Sequence, residues 1–224
     1  MRVDDVAAVT DLMESTLVLG RPLAGADLRD YVRACLEPYV GRRARDAAVI
    51  VDDHRRVLGY ALVCIDPARG EVDTRRAMLR LGARVLWSVL RGQLNPVTRR
   101  FYLARIRDIA GLMSVASDRT TRPHAHLNID IAVRSGTAAL LLLDHIDARV
   151  AAAGFGEWIG EVNAPEGRRA GALERLGFVV IERRRNVTLS WCAGRPVERL
   201  TLLRTLTGPM PAQAGSALTD RAQA

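Results

Sequence analysis

Residues 124 to 154 constrain the fold more than any other stretch of the chain. Ala125, Leu127, Ile129 and Ile131 alternate with His124, His126, Asn128 and Asp130, the period-two pattern of a strand with one apolar and one polar face. So many polar groups on one strand face point to a cleft. The chain then passes through Arg134, Ser135, Gly136, Thr137 and Ala138, a turn rich in small side chains whose backbone N–H groups can approach an anion closely. Behind it, Leu140 to Leu143, Ile146 and Val150 define a helix that stops at Gly154, a residue suited to a left-handed C-terminal cap. A strand that runs through such a turn into a helix N-terminus is a general device for holding phosphate, because the positive end of the helix dipole backs the turn.

A second strand follows, with Glu157, Ile159, Glu161 and Asn163 on one face, and it leads through Val162-Asn163-Ala164 and Arg168 to a closing Leu176-Gly177-Phe178. In that order, residues 124 to 206 resemble the acetyl-CoA-binding core of the GNAT acyltransferases, and residues 1 to 66 resemble it loosely. In that family the turn carries Gln/Arg-x-x-Gly-x-Gly/Ala. Here Val133 to Ala138 keeps Gly136 and Ala138 and has Val133 where Gln or Arg is usual. The resemblance implies an α/β fold with a mixed central sheet flanked by helices; the residues themselves add a helical hairpin, at 67 to 122, inserted between the third and fourth strands. It also implies acetyl-CoA as acyl donor, with Ile131, Ala132 and Val133 against the pantetheine and Arg134, Ser135, Gly136, Thr137, Ala138 and Ala139 around the pyrophosphate.

The chain departs from the family at three places. Only Ile131 and Ala132 separate Asp130 from Val133, a shorter passage than the family's. Leu173 stands where many members place a tyrosine that protonates the departing thiolate, and Glu166 stands where a cofactor-contacting Asn is common. Acyl transfer to an amine still requires an oriented thioester carbonyl and a route for the proton that leaves the nitrogen. Three residues are candidate bases: Asp130 on the polar face beside the expected thioester position, Glu161 on the neighbouring strand, and His126. Each has a structural alternative: Asp130 caps the turn, Glu161 pairs with an arginine, or His126 is a hydrogen-bonded interior group.

Elsewhere the pattern is that of one globular domain over residues 1 to 207, with a Pro-, Ala- and Gln-rich tail at 208 to 224 whose small apolar content predicts disorder. Val6, Val9, Leu12 and Met13 fit one helix, and Leu28, Tyr31, Val32, Cys35 and Leu36 fit another that ends before Pro38. Ala47 to Val51 and Val57 to Ile65 read as antiparallel strands, and the family's first strand would shrink to Arg2 and Val3. The last segments are strands at Phe178 to Arg184 and Val197 to Leu206, with Asn186 to Leu189 between them as a further pairing segment.

Residues 67 to 122 have no counterpart in the resemblance. Met78, Leu81, Val85 and Val89 share one helical face and Arg76, Arg80 and Arg84 another. Asn95-Pro96 ends that helix, and a second runs from Val97 to about Met113. The net charge is +8 with 33 basic residues, all of them arginine, and nine of these lie between Thr74 and Arg107 with no acidic residue among them. This hairpin fits a solvated or dimer-forming face, a lid that draws an anionic substrate or the donor's phosphates, or a surface for anionic lipid or nucleic acid. The last ranks lowest, since aromatic residues make up only 4% and no nucleic-acid motif is present.

Other chemistries fit poorly. Cys35, Cys64 and Cys192 are few and widely spaced, so neither a disulfide framework nor a zinc site is indicated. His124 and His126 lack a completing cluster of ligands, and no Gly-x-Ser-x-Gly elbow is present. Without a signal-peptide pattern or a bilayer-length apolar run, a cytoplasmic location without a membrane span is expected. Two function classes fit these residues: an N-acyltransferase that moves acetyl from acetyl-CoA to the amine of a small molecule, and a GNAT-like domain without catalysis that binds partners through the arginine-rich hairpin.

Overall fold

The computed structural model describes residues 4–40, 45–112, 121–130, 136–167 and 170–206. Arg2 and Val3, the turn residues Ile131, Ala132, Val133, Arg134 and Ser135, Arg168, and the tail from 207 to 224 lie outside the described residues.

Two helices, α1 (Asp5–Thr16) and α2 (Arg29–Leu36), precede the hairpin of β1 (Ala48–Val51) and β2 (Val57–Cys64). The hairpin turns at Asp52, whose carboxylate accepts from the backbone N–H groups of His54 and Arg56 at 3.0 and 2.8 Å. Helices α3 (Pro67–Leu90) and α4 (Pro96–Leu112) fill the connection to β3 (His124–Ile129), and α5 (Gly136–Ala152) carries the chain across to β4 (Glu157–Pro165). A short α6 (Ala170–Arg175), β5 (Phe178–Arg185), α7 (Val187–Ala193) and β6 (Val197–Thr205) complete the fold.

The strands form one sheet in the order β1-β2-β3-β4-β6-β5. All neighbours are antiparallel except β3 and β4, which α5 joins as a parallel pair. Central strand β2 is almost wholly buried, as its uninterrupted apolar run requires. On one face Tyr60 and Leu62 pack with Val9, Leu12, Leu28, Val32, Leu81 and Phe101 from the first four helices. On the other face Ala61, Val63, Ala125 and Leu202 pack against Leu142, Leu143, Ile146 and Val150 of α5. That helix ends as its glycine indicates, with Gly154 at φ +84°.

The closing Leu-Gly-Phe turn is held from below. Arg204 donates to the carbonyl of Leu176 and to both carboxylate oxygens of Asp147, the latter at 2.7 to 3.0 Å. Gly177, at φ +80°, leaves room for that guanidinium.

Helices α3 and α4 begin at the caps their sequence offers. Asp66 accepts from the N–H of Arg69 at 3.0 Å, and Asn95 accepts from the N–H of Thr98 at 2.8 Å. They do not pack chiefly on each other: α3 lies against α2 and the 3₁₀ turn at Glu37–Tyr39, and α4 lies against α7. Part of the basic face is neutralised there, since Arg80 pairs with Glu37, and Arg84 lies 3.9 Å from Asp30.

The segment at Asn186 to Leu189 is helical, not a pairing strand. Asn186 caps α7 through the N–H of Leu189 at 2.9 Å, and Asp108 of α4 accepts from the N–H groups of Val187 and Thr188 at 2.9 and 3.0 Å. With each of its first three N–H groups given a side-chain acceptor, the segment turns into a helix despite Val187 and Thr188.

Candidate active site

The parallel ladder between β3 and β4 comprises only two residue pairs, His124 with Ile159 and Ala125 with Gly160. Among the described residues no later pair joins these strands, so the sheet opens at their C-terminal ends. A cavity of about 450 Å³ fills the opening, lined by Leu127, Asn128, Ile129, Glu161, Val162 and Asn163 and closed from the side by Met13, Thr16 and Leu17 of α1 and its continuation. Crevices outside the C-terminal ends of parallel strands are where open α/β sheets bind ligands. Six residues separate the end of β3 from the α5 N-terminus, which has no acidic residue in its first turn. A Cβ at Gly136 would meet nothing within 4 Å.

The polar faces of β3, β4 and β6 all point to the same side. The registers Leu62 with His126, Asn128 with Tyr60 and Asn163 with Arg199 put these groups beside one another. The half-buried His126 has its Nε2 3.1 Å from the hydroxyl of Tyr60. Burial pushes its pKa below the ordinary histidine range, opposed by the charge of Glu161. Burial also pushes the Tyr60 phenol well up, so its hydroxyl keeps its proton. Asn128 donates to Thr16 Oγ1 at 2.6 Å and to the same tyrosine hydroxyl at 3.4 Å. Glu161 faces Arg199 at 3.7 Å, and Asn163 accepts from Asn186 at 2.9 Å.

A second cavity, of about 690 Å³, lies between α3 and α4 on the same side of the sheet. Its walls are mostly aliphatic and aromatic, from Met78, Leu81, Val85 and Val89 on α3 and Tyr102, Leu103 and Ile106 on α4. The two cavities share Met13, Tyr31, Arg105, His126, Glu161 and Arg199. A molecule in the strand crevice and one under the helices would therefore meet at Glu161 and His126.

Of the candidate bases, Glu161 and His126 stand together at this junction. Asp130 follows the end of β3, where its N–H donates to the carbonyl of Leu58 at 2.7 Å, and it lines neither cavity. Glu161 has the arginine partner that its structural alternative supposed, and His126 is both interior and at the junction. Of the expected donor-contacting residues, Gly136, Thr137 and Ala138 open α5, with Ala138 buried and Ala139 half-buried. Leu173 packs against the apolar core around α5.

Sequence reasoning passed over Arg199, Arg105, Tyr31 and Tyr60. The alternation of Arg199 and Thr201 with Leu200 and Leu202 carried a readable signal for the first. Tyr60 sits in a uniformly apolar strand, and nothing local marks it.

No protein-family model matches the sequence, and no curated protein matches it. Solved structures do match in three dimensions, and they show that the chain has the fold of the GNAT acyltransferases. The protein SsHAT is 19% identical with a TM-score of 0.63, covering 93% of this chain and 96% of its own. A phosphinothricin acetyltransferase of the GNAT superfamily from Sinorhizobium meliloti, solved with acetyl-CoA, is 14% identical with a TM-score of 0.51, covering 98% and 94%. A ribosomal-protein-alanine N-acetyltransferase from Brucella melitensis is 13% identical with a TM-score of 0.51, covering 92% and 97%.

Proposed function

We propose that the chain is an N-acyltransferase that takes an acetyl group from acetyl-CoA and delivers it to the amine of a small molecule. The observation that carries this reading is the opening of β3 from β4 after two residue pairs, with a carboxylate and a neutral imidazole at the point where the opening meets a second cavity. The donor fits the crevice. Its extended pantetheine arm needs unpaired strand edges, which the divergence supplies. Its pyrophosphate needs backbone N–H groups free of acidic competitors, which the start of α5 supplies. Acetyl-CoA in the crystal of the Sinorhizobium protein supports the same choice of donor.

The reaction makes one bond and breaks one. The amine nitrogen attacks the thioester carbonyl, the carbon–sulfur bond breaks, and the proton lost by nitrogen ends on the departing thiolate or in solvent. Glu161 is the group assigned to take that proton, with Arg199 positioning its carboxylate. His126 stays neutral beside it and holds the Tyr60 hydroxyl in place. Asp130 ranks behind both because it lines neither cavity.

A second reading, a GNAT-like binding module without turnover, is favoured by Leu173, which cannot supply a proton to sulfur and packs into the core. Release of free CoA thiol separates the two. Steady-state thiol release on adding a primary amine supports the enzyme. Glu161→Gln is expected to lower kcat about a hundredfold, in the range that a positioned base contributes, while leaving the affinity for acetyl-CoA unchanged. Thiol release that no amine stimulates, with acetyl-CoA bound, would establish the binding module.

A further inference from the structure

Resting on the acyl-transfer reading of this site, we infer that the cavity between α3 and α4 is the acceptor site, and that the acceptor is an amphiphile: an amine with an adjacent anionic group, carried on a bulky apolar body. Three independent features of the cavity lead to this class.

The first is the distribution of polarity. At about 690 Å³ the cavity has the size that drug-sized ligands occupy, whereas a small polar amine would leave most of it in contact with water. Its aliphatic and aromatic walls come from both helices; Tyr31, Arg105, His126, Glu161 and Arg199 line the end shared with the strand crevice, and Tyr39, Thr74, Arg99 and Tyr102 are the polar groups elsewhere in the lining. An occupant that matched this lining would have its reactive, charged end at the junction and its apolar body between the helices.

The second feature is charge at the polar end. Arg105 stacks over Tyr31 at 5.5 Å and lies 3.6 Å from Asp108, but Asp108 is directed to the N-terminus of α7 through Val187 and Thr188. The Nε of Arg105 is buried and has no hydrogen-bond partner among the described residues. Arg199 already faces Glu161. Arg105 and Arg199 thus each have one carboxylate within 4 Å, Asp108 and Glu161, and the Nε–H donor of Arg105 is left unsatisfied. A carboxylate, sulfonate or phosphonate next to the acceptor amine would satisfy that donor, and the amine would lie toward Glu161.

The third feature is Gly82. It lies in the middle of the 24-residue α3, where glycine is among the poorest helix formers, and it lines the cavity. A Cβ there would meet nothing within 4 Å, so no packing contact accounts for the missing side chain. Gly82 is exposed where it lines the cavity, so a side chain there would stand at the cavity's open side.

The test uses the whole protein and the probe 1-anilinonaphthalene-8-sulfonate, an aromatic body with one anionic group whose fluorescence rises in apolar surroundings. Saturable binding is expected, weakened at least tenfold by Gly82→Trp, which puts a bulky side chain at the open side of the cavity, and at least fivefold by Arg105→Gln. Circular dichroism would establish that both variants fold, and should Arg105→Gln fail to fold, Gly82→Trp alone decides. In a parallel thiol-release assay, homophenylalanine is expected to exceed both 4-phenylbutylamine and serine at least tenfold in kcat/KM. Probe binding equal in wild type and Gly82→Trp would overturn the proposal, as would serine or the amine without a carboxylate proving the better acceptor. The acyl-transfer reading fails separately: acetyl-CoA that does not bind by calorimetry, with probe binding still lost in Gly82→Trp, removes the reaction and leaves an amphiphile-binding cavity.

Discussion

His126 shows how one half-buried side chain links the site to the stability of the fold. Its imidazole is enclosed by the sheet and by Tyr60, so burial favours the neutral form, and Glu161 only partly offsets this. The unfolded chain binds a proton at this residue near the ordinary value of about 6.5, while the folded chain resists protonation until lower pH. Between those two points the unfolded state holds more protons, so stability rises with pH across that window. Lowering pH from 7 through this range is expected to lower the thermal midpoint, and His126→Gln is expected to flatten that dependence. Equal slopes for wild type and variant would show that the imidazole titrates freely in the fold. At the same scale, Glu161 and His126 were readable as polar positions of alternating strands. Tyr60 and Arg105 were not, because what makes them notable is a register partner and an unsatisfied N–H, and neither has a local pattern.

Among the elements, α7 is the one that local patterns misplace. Val187-Thr188-Leu189 has the β-branched character of a strand, and Asn186 by itself is compatible with a turn or a cap. The outcome is decided by Asp108, 79 residues away from Val187 in the chain, which supplies acceptors for two N–H groups and the hydroxyl of Thr188. Asp108 therefore ties α4 to α7 and gives Arg105 its counter-charge. Replacing it with alanine removes two caps and leaves a largely buried guanidinium without its anion, at a cost of about 3 kcal/mol. Chemical denaturation would measure that loss. A change below about 0.5 kcal/mol would mean that water or another acceptor replaces the carboxylate. The helices α3 and α4, in contrast, are legible from their apolar spacing and from Asp66, Asn95 and the two prolines. Their spacing does not say which neighbour each one packs on, and that choice creates the cavity between them.

In the molecule as a whole, the order of strands and helices and the two faces of the sheet follow from alternation in β3 and from the apolar stripe of α5. The divergence of β3 from β4 does not, because it is a property of two strands separated by a helix and is absent from either alone. Among the described residues no helix is long and apolar enough to cross a membrane, and a mostly apolar cavity lies between α3 and α4, beside the opening in the sheet. Acyl transfer at this site requires that the opening receive an acyl-CoA with its pyrophosphate at the start of α5. Calorimetric titration of acetyl-CoA into the wild type and into Gly136→Glu tests this most directly. A carboxylate at position 136 meets no steric obstacle but would compete with the phosphates for the helix N-terminus. The predicted result is saturable binding of one acetyl-CoA per chain, lost in a Gly136→Glu variant that keeps its circular dichroism spectrum. The contradicting result is no binding to the wild type at millimolar acetyl-CoA, or equal binding to both proteins.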